Sequence, residues 1–113
     1  MSTLLILNDA PYGTERSYNA LRLAKALARQ EGQVVRVFLM GDAVSCAKAG
    51  QKVPSGYYNA GDMVRMVGGE VGLCGTCMDA RGLSETDMVE GAHRSNLQTL
   101  AEWTAQAAKV LVF

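Results

Sequence analysis

Residues 71–82 read VGLCGTCMDARG: an apolar run ending at Leu73, two cysteines at C-x-x-C spacing (Cys74 and Cys77), then Asp79, Arg81 and Gly82. Glu70 to Leu73 is short and apolar and follows the stop at Gly68 and Gly69, so it reads as a buried strand. Cys74 then stands at the carboxyl end of that strand. In open α/β sheets, ligands and chemistry collect beyond those ends.

The rest of the chain supplies the sheet. Upstream, Val34 to Met40 (VVRVFLM) is rich in β-branched residues and predicts a strand ended by Gly41. Asp42 is placed to cap a short helix reaching about Ala49. Residues 50–58 hold Gly50, Pro54 and Gly56 and form the one long irregular stretch, of a kind that is often functional or interfacial. Asn59 caps a helix carrying Met63, Val64, Met66 and Val67. At the beginning, Thr3 to Leu7 predicts a buried parallel strand followed by a loop from Asn8 to Thr14. Thr14 is the expected N-cap of a helix whose apolar positions are Ala20, Leu21, Ala24, Leu27 and Ala28, with Gly32 as its stop. Downstream, residues 84–93 are ambiguous, with 87–92 fitting either a short strand or a helix end. Ser95 is the expected cap of a last helix with an apolar stripe at Leu97, Leu100, Ala101, Trp103, Thr104 and Ala107. Lys109 to Phe113 (KVLVF) predicts a closing strand, placed inside the sheet or at a protected edge. Strands alternating with helices imply one α/β domain over residues 1–113, with a parallel sheet covered by helices on both faces.

The totals agree with a single domain. The chain has 113 residues, 49% of them hydrophobic, and its 11 basic residues balance 11 acidic ones. That balance gives no electrostatic footprint for nucleic acid or an anionic membrane. No apolar run approaches the ~20 residues of a membrane span. The sequence MSTLLILND lacks the features of an export signal. An odd cysteine count of three, without such a signal, predicts free thiols in a reducing cytoplasm.

Thiolates, not thiols, are nucleophiles and metal ligands. A cysteine at a strand end, opening into a helical turn, meets backbone N–H groups that stabilise its anion, and Arg81 is a positive charge nearby. Three chemistries suit Cys74 and Cys77: thiol–disulfide exchange, persulfide carriage and metal binding. Zinc is disfavoured because Cys46 and His93 are the only further ligands and neither has zinc-like spacing, so no metal is expected. The bland alternative is that both cysteines are small buried hydrophobes. A dithiol oxidoreductase normally opens a long helix at this motif, whereas Gly82 breaks this one early. Cys74 is the better lone nucleophile, and Cys77 either resolves a mixed disulfide or packs. The loop from Asn8 to Thr14 has one glycine and two flanking acids, Asp9 and Glu15, which argue against a nucleotide or flavin phosphate, so no cofactor is expected. Its Tyr12 and Gly13 are instead expected to line the cysteine pocket, because both loops leave the same edge of a parallel sheet. Cys46 reads as core, Trp103 as core stripe, and His93, Tyr57 and Tyr58 as surface or interface.

The stretches DAPYGTERSYNALRLAKAL, VFLMGDAV, GQKVPSGYY, LCGTCMDARGL and LAEWTAQAAKVLVF together resemble the YchN-like branch of the DsrE/DsrF family, in order and along nearly the whole chain. The APYG loop and the C-x-x-C-x-D-x-R-G stretch are the most specific parts. The resemblance implies a five-stranded, mainly parallel sheet in a three-layer domain, and assembly as a homotrimer or a homohexamer. Better-understood relatives, of the DsrE and TusD type, carry sulfur in sulfur oxidation or tRNA thiolation. Their key cysteine lies seven residues before an Arg-Gly pair. Cys74 stands in that relation to Arg81 and Gly82; Cys77 does not.

The leading expectation is a sulfur carrier that accepts persulfide sulfur on Cys74 and passes it to a partner protein. In that reading Arg81 lowers the thiol pKa, Asp79 holds Arg81, and Tyr12 and Gly13 line the pocket. Whether such a carrier counts as an enzyme of sulfurtransferase type stays open. The alternatives are a non-catalytic oligomeric or small-ligand-binding module with packing cysteines, and a C-x-x-C dithiol oxidoreductase.

Overall fold

The computed structural model describes residues 1–113. Five strands form one parallel sheet: β1 (Ser2–Leu7), β2 (Val34–Leu39), β3 (Glu70–Cys74), β4 (Ala92–Ser95) and β5 (Lys109–Val112), in the spatial order β4-β3-β2-β1-β5. Four helices connect them: α1 (Arg16–Ala28), α2 (Ala60–Arg65), α3 (Gly75–Ala80) and α4 (Leu97–Gln106). Two short 3-10 helices, Gly41–Ala47 and Glu85–Asp87, fill the connections after β2 and α3. No helix is long and apolar enough to cross a membrane.

Chirality explains the layering. From β1 to β2, β3 and β4 the chain steps one strand at a time in one direction across the sheet. The preference for right-handed crossovers therefore puts these three connections on one face. The step from β4 to β5 runs back across the whole sheet, so its helix, α4, goes to the other face. The first face holds the main core, a cluster of 20 buried residues that includes Leu5, Leu7, Val35, Val37, Leu39, Val71 and Leu73 from the strands. Leu21, Val44, Val64 and Met78 meet them from the overlying elements. The second face is thin. Leu4, Phe38 and Leu100 make its buried cluster, with Ile6, Met40 and Trp103 packed around them. Period-two alternation in β1 and β2 sends odd-numbered residues to the large core and even-numbered residues to α4.

Several boundaries move from the sequence expectation for local reasons. The Thr14 hydroxyl donates to Asp9 instead of capping α1, which starts at Arg16 after Glu15. The Asp42 side chain does not cap the Gly41–Ala47 helix but faces Arg81. Asn96, rather than Ser95, caps α4: its Oδ1 accepts from Thr99 N–H at 2.9 Å, while Ser95 stays in β4. Asn59 caps α2 as expected, accepting from Asp62 N–H at 3.1 Å. The ambiguous stretch resolves into the Glu85–Asp87 turn and β4. The predicted α4 stripe holds only in part: Leu100 is buried and Trp103 and Ala107 pack against it, whereas Ala101 and Thr104 are exposed and Leu97 is 70% exposed. β5 is an edge strand paired only with β1, and its Val110 and Val112 are exposed, so within one chain that edge is open.

Candidate functional site

The position of Cys74 follows from the topology. The connection leaving β3 goes to the main-core face through α3, and the connection leaving the adjacent β4 goes to the opposite face through α4. Neighbouring strands whose connections diverge in this way define a topological switch point, and the crevice outside their carboxyl ends is where open α/β sheets place their sites. Cys74 ends β3 and pairs in register with Ser95, the last residue of β4. α4 is seated over β1 and β2 through Leu4, Phe38 and Leu100; Cys74 packs against the edge of that cluster and stays only partly buried. The result is an open cleft of about 840 Å³ lined by Cys74, Thr76, Cys77, Arg94, Asn96 and Leu97 among others.

Cys74 is half-buried and immediately precedes α3. Its Sγ lies 3.3 Å from Thr76 Oγ1. Burial pushes the Cys74 thiol up, but hydrogen bonds from the Cys77 and Thr76 side chains and from the Cys77 and Thr76 backbone N–H groups outweigh it. The thiol is held below the ordinary cysteine value. Cys77 moves the other way. Burial and its hydrogen bond to Cys74 raise it, against a weaker pull from Gly41 and Arg81. The two thiols titrate as a pair, with the hydrogen bonds around Cys74 favouring its anion. Gly41 takes part through its backbone. Its φ of +57°, in the left-handed region open to glycine, ends β2, and its N–H donates to Cys77 Sγ at 3.2 Å.

The cations arrange themselves differently from the sequence expectation. Asp79 does not hold Arg81. It receives Arg94 in a bidentate pair, Nη1 and Nη2 each 2.8 Å from a carboxylate oxygen. Arg81 instead reaches Asp42 at 2.6 Å and the carbonyl of Cys77 at 3.0 Å, so its charge falls on the Cys77 side. Tyr12 and Gly13 do not line the Cys74 cleft. Their loop leaves β1, and β2 stands between β1 and β3. At ~4.8 Å per strand, β1 lies about 10 Å from β3. The Tyr12 hydroxyl donates to the Gln51 side chain and accepts from Ala60 N–H at 3.1 Å. Together with Tyr18, Tyr57 and Tyr58 it forms a stacked aromatic cluster, with Tyr58 Oη donating to Pro11 O at 2.8 Å. This cluster ties the long 50–58 loop to α1, which gives that loop a structural reason for its aromatics.

Arg94 is the residue that sequence reasoning missed. Nothing at its own position marks it, and its relation to Cys74 exists only because β4 pairs with β3. Cys46 is fully buried, and burial raises its thiol to about 11. His93 is an exposed side chain 3.7 Å from Glu85. No group of three or more His, Cys, Asp or Glu side chains converges on a point.

The class is thus a small, all-parallel α/β protein with a thiol pair at its sheet's switch point. Within that class the chain belongs to the DsrE/DsrF-like family, which it matches over residues 1–113. It is similar to Protein YchN of Escherichia coli strain K12, at 43% identity over 114 residues and 97% of each chain. It is similar also to an uncharacterized protein of Methanopyrus kandleri, at 39% identity over 112 residues, covering 96% of this chain and 91% of that one. The crystal structure of the E. coli YchN protein superposes with a TM-score of 0.90 over 100% of both chains. A protein of unknown function from Methanobacterium thermoautotrophicum shares the fold, with a TM-score of 0.71 at 15% identity, covering 99% of this chain and 97% of that one.

Proposed function

We propose that this chain is a sulfur carrier whose working atom is Cys74 Sγ. The observation that carries the reading is a half-buried thiol, biased toward its anion, opening onto a cleft at the sheet's switch point. The Cys74 thiolate attacks the outer sulfur of a donor persulfide, R–S–SH. The new bond joins Cys74 Sγ to that sulfur, the donor S–S bond breaks, and the donor leaves as its thiolate R–S⁻. An acceptor thiolate then attacks the outer sulfur of Cys74–S–SH and restores the Cys74 thiolate. Neither step needs an external oxidant or a cofactor. Membership of a family linked to sulfur relay supports this reading, as does the pairing of the cleft with Cys74 rather than with the buried Cys46.

The donor is a protein bearing a persulfide and the acceptor one bearing a thiol, and the chain works in the cytoplasm, where free cysteines persist. It assembles as a homotrimer or homohexamer, a reading supported by family likeness and by the open edge of β5. A second reading, dithiol exchange, is favoured by one observation: Cys74 and Cys77 stand three residues apart at the start of α3 and line the same cleft. In it Cys77 attacks Sγ of a Cys74 mixed disulfide, releasing the partner thiolate and closing a Cys74–Cys77 bond.

Mass spectrometry separates the readings. After incubation with a persulfide donor, the native chain should gain one sulfur on the peptide bearing Cys74. Cys74→Ser should gain none and Cys77→Ser should still gain it. Equal uptake by Cys74→Ser refutes the carrier. An intramolecular disulfide accumulating in its place favours dithiol exchange.

A further inference from the structure

We infer that Arg94, laid across Gly75 and clamped by Asp79, is a positioning residue that seats the anion formed at Cys74, first as the thiolate and then as the persulfide. The persulfide half of this statement rests on the carrier reading.

Three observations place Arg94 in this role. Gly75 and Asp79 are four residues apart in α3 and so lie on one face of that helix. The Arg94 guanidinium runs along that face. It meets Asp79 with two hydrogen bonds of 2.8 Å, and Arg94 lines the same cleft as Cys74. The bidentate fork fixes the plane as well as the position of the charge, which a lysine does not do.

Gly75 itself is the second observation. Its backbone needs no glycine, because its φ is not in the positive range. Alanine is the better residue in a helix. What a Cβ would meet there is Arg94: Cζ and Nε at 2.9 Å and Nη2 at 3.0 Å. The missing side chain therefore makes room for this guanidinium, beside the residue that carries the nucleophile.

The third observation concerns the anchoring of Arg94. Its backbone N–H donates to Glu85 Oε1 at 2.8 Å, so both ends of the residue are held. Arg94 and Asp79 are both substantially exposed, and ion pairs of that kind contribute little to stability. Such a cradle is poorly explained as a stabilising device. It is well explained as a way to hold a positive charge beside a sulfur anion.

The test is the pH profile of Cys74 alkylation by iodoacetamide, read on the Cys74 peptide by mass spectrometry so that Cys77 and Cys46 do not contribute. Gly75→Ala displaces the guanidinium without removing any charge. Arg94→Gln removes the charge, and Arg94→Lys keeps it without the fork. Circular dichroism checks that each variant is folded. At pH 7 we expect Gly75→Ala and Arg94→Gln to slow Cys74 alkylation about threefold or more, with the profile displaced to higher pH, and Arg94→Lys to recover part of the loss. Raising the salt from ~0.02 to ~0.5 M should slow the native chain and leave Arg94→Gln nearly unchanged. A native profile and a native salt response in both Gly75→Ala and Arg94→Gln overturn the inference. Should Arg94→Gln fail to fold, Gly75→Ala decides alone, since alanine is compatible with the helix. No sulfur donor is present in this assay. Failure of the native chain to take up sulfur, with the alkylation shifts as expected, removes the carrier and keeps the thiolate seat. The converse result keeps the carrier and removes the seat.

Discussion

Replacing Gly72 by alanine tests how α4 is held, and with it why the Cys74 cleft is open. Gly72 lies in the middle of β3 on the thin face. A Cβ there would stand 3.0 Å from Phe38 Cδ2, 3.2 Å from Phe38 Cε2 and 3.3 Å from Trp103 Cη2. Carbon atoms settle at about 3.5–4.0 Å, so something must give by several tenths of an ångström. Phe38 is 1% exposed and meets Trp103 edge-on, with ring centres 6.1 Å apart. It cannot retreat, so the indole moves and carries α4 with it. Overpacking of this kind costs about 1–3 kcal/mol. Restricting the unfolded chain by removing a glycine returns about 0.5–1 kcal/mol. The net loss lies between about 0 and 2.5 kcal/mol, centred near 1 kcal/mol. With an unfolding entropy of about 2.1 cal/mol/K per residue over 113 residues, the centre of that range lowers the melting temperature by about 4 °C. The assay is thermal unfolding by circular dichroism together with the emission of Trp103, the single tryptophan, which should shift as the ring is displaced. Protein concentration is kept fixed, so that any self-association does not move the apparent melting temperature by mass action. Adding Trp103→Leu should recover part of the loss, since the two sites are in contact and their effects do not add. Unchanged Trp103 emission together with an unchanged melting temperature refutes the close seating of Trp103 against Gly72 and Phe38.

Three further outcomes follow from the same geometry. The Cys46 thiol has its folded value raised from an ordinary 9.0 to about 11; its contribution is full below pH 9 and is lost as pH rises toward 11. That loss amounts to about 2–3 kcal/mol at ~1.4 kcal/mol per unit, and Cys46→Ala should flatten the fall in melting temperature over this range. Arg81→Gln should leave the Cys74 alkylation profile near native, in contrast to Arg94→Gln. It should cost about 1 kcal/mol or less in urea denaturation, because the pair it breaks with Asp42 has a largely exposed carboxylate and a partly exposed guanidinium. Asn59→Ala removes the α2 cap and the bond from Asn59 Nδ2 to Gln51 O at 3.0 Å. It should cost about 1–2 kcal/mol and accelerate proteolytic nicking within residues 50–58.

Much of the molecule was legible because it depends on neighbours in sequence. The runs 3–7, 34–40 and 70–73 are strands because short β-branched and apolar segments, bounded by turn formers such as Asn8 and Asp9, Gly41, and Gly68 with Gly69, can do little else in water. Cys74 could be placed at a strand end for the same reason. The caps were read less well. Thr14, Asp42 and Ser95 carry the right side chains for capping, but Asp9, Arg81 and the β4 ladder claim those residues instead. A cap competes with tertiary partners that one segment does not reveal.

The amino-acid order by itself determined the element types, the placement of the thiol pair beyond β3 and the family. Only the tertiary structure decided which strands stand side by side. Sequence patterns report which face of a segment is apolar, but strand neighbours are chosen by crossover handedness and by where a long connection comes to rest. With β4 beside β3, Arg94 arrives at Cys74 from twenty residues further along the chain. With β2 between β1 and β3, Tyr12 and Gly13 are kept away, and Arg81, turned toward Asp42, serves the other sulfur.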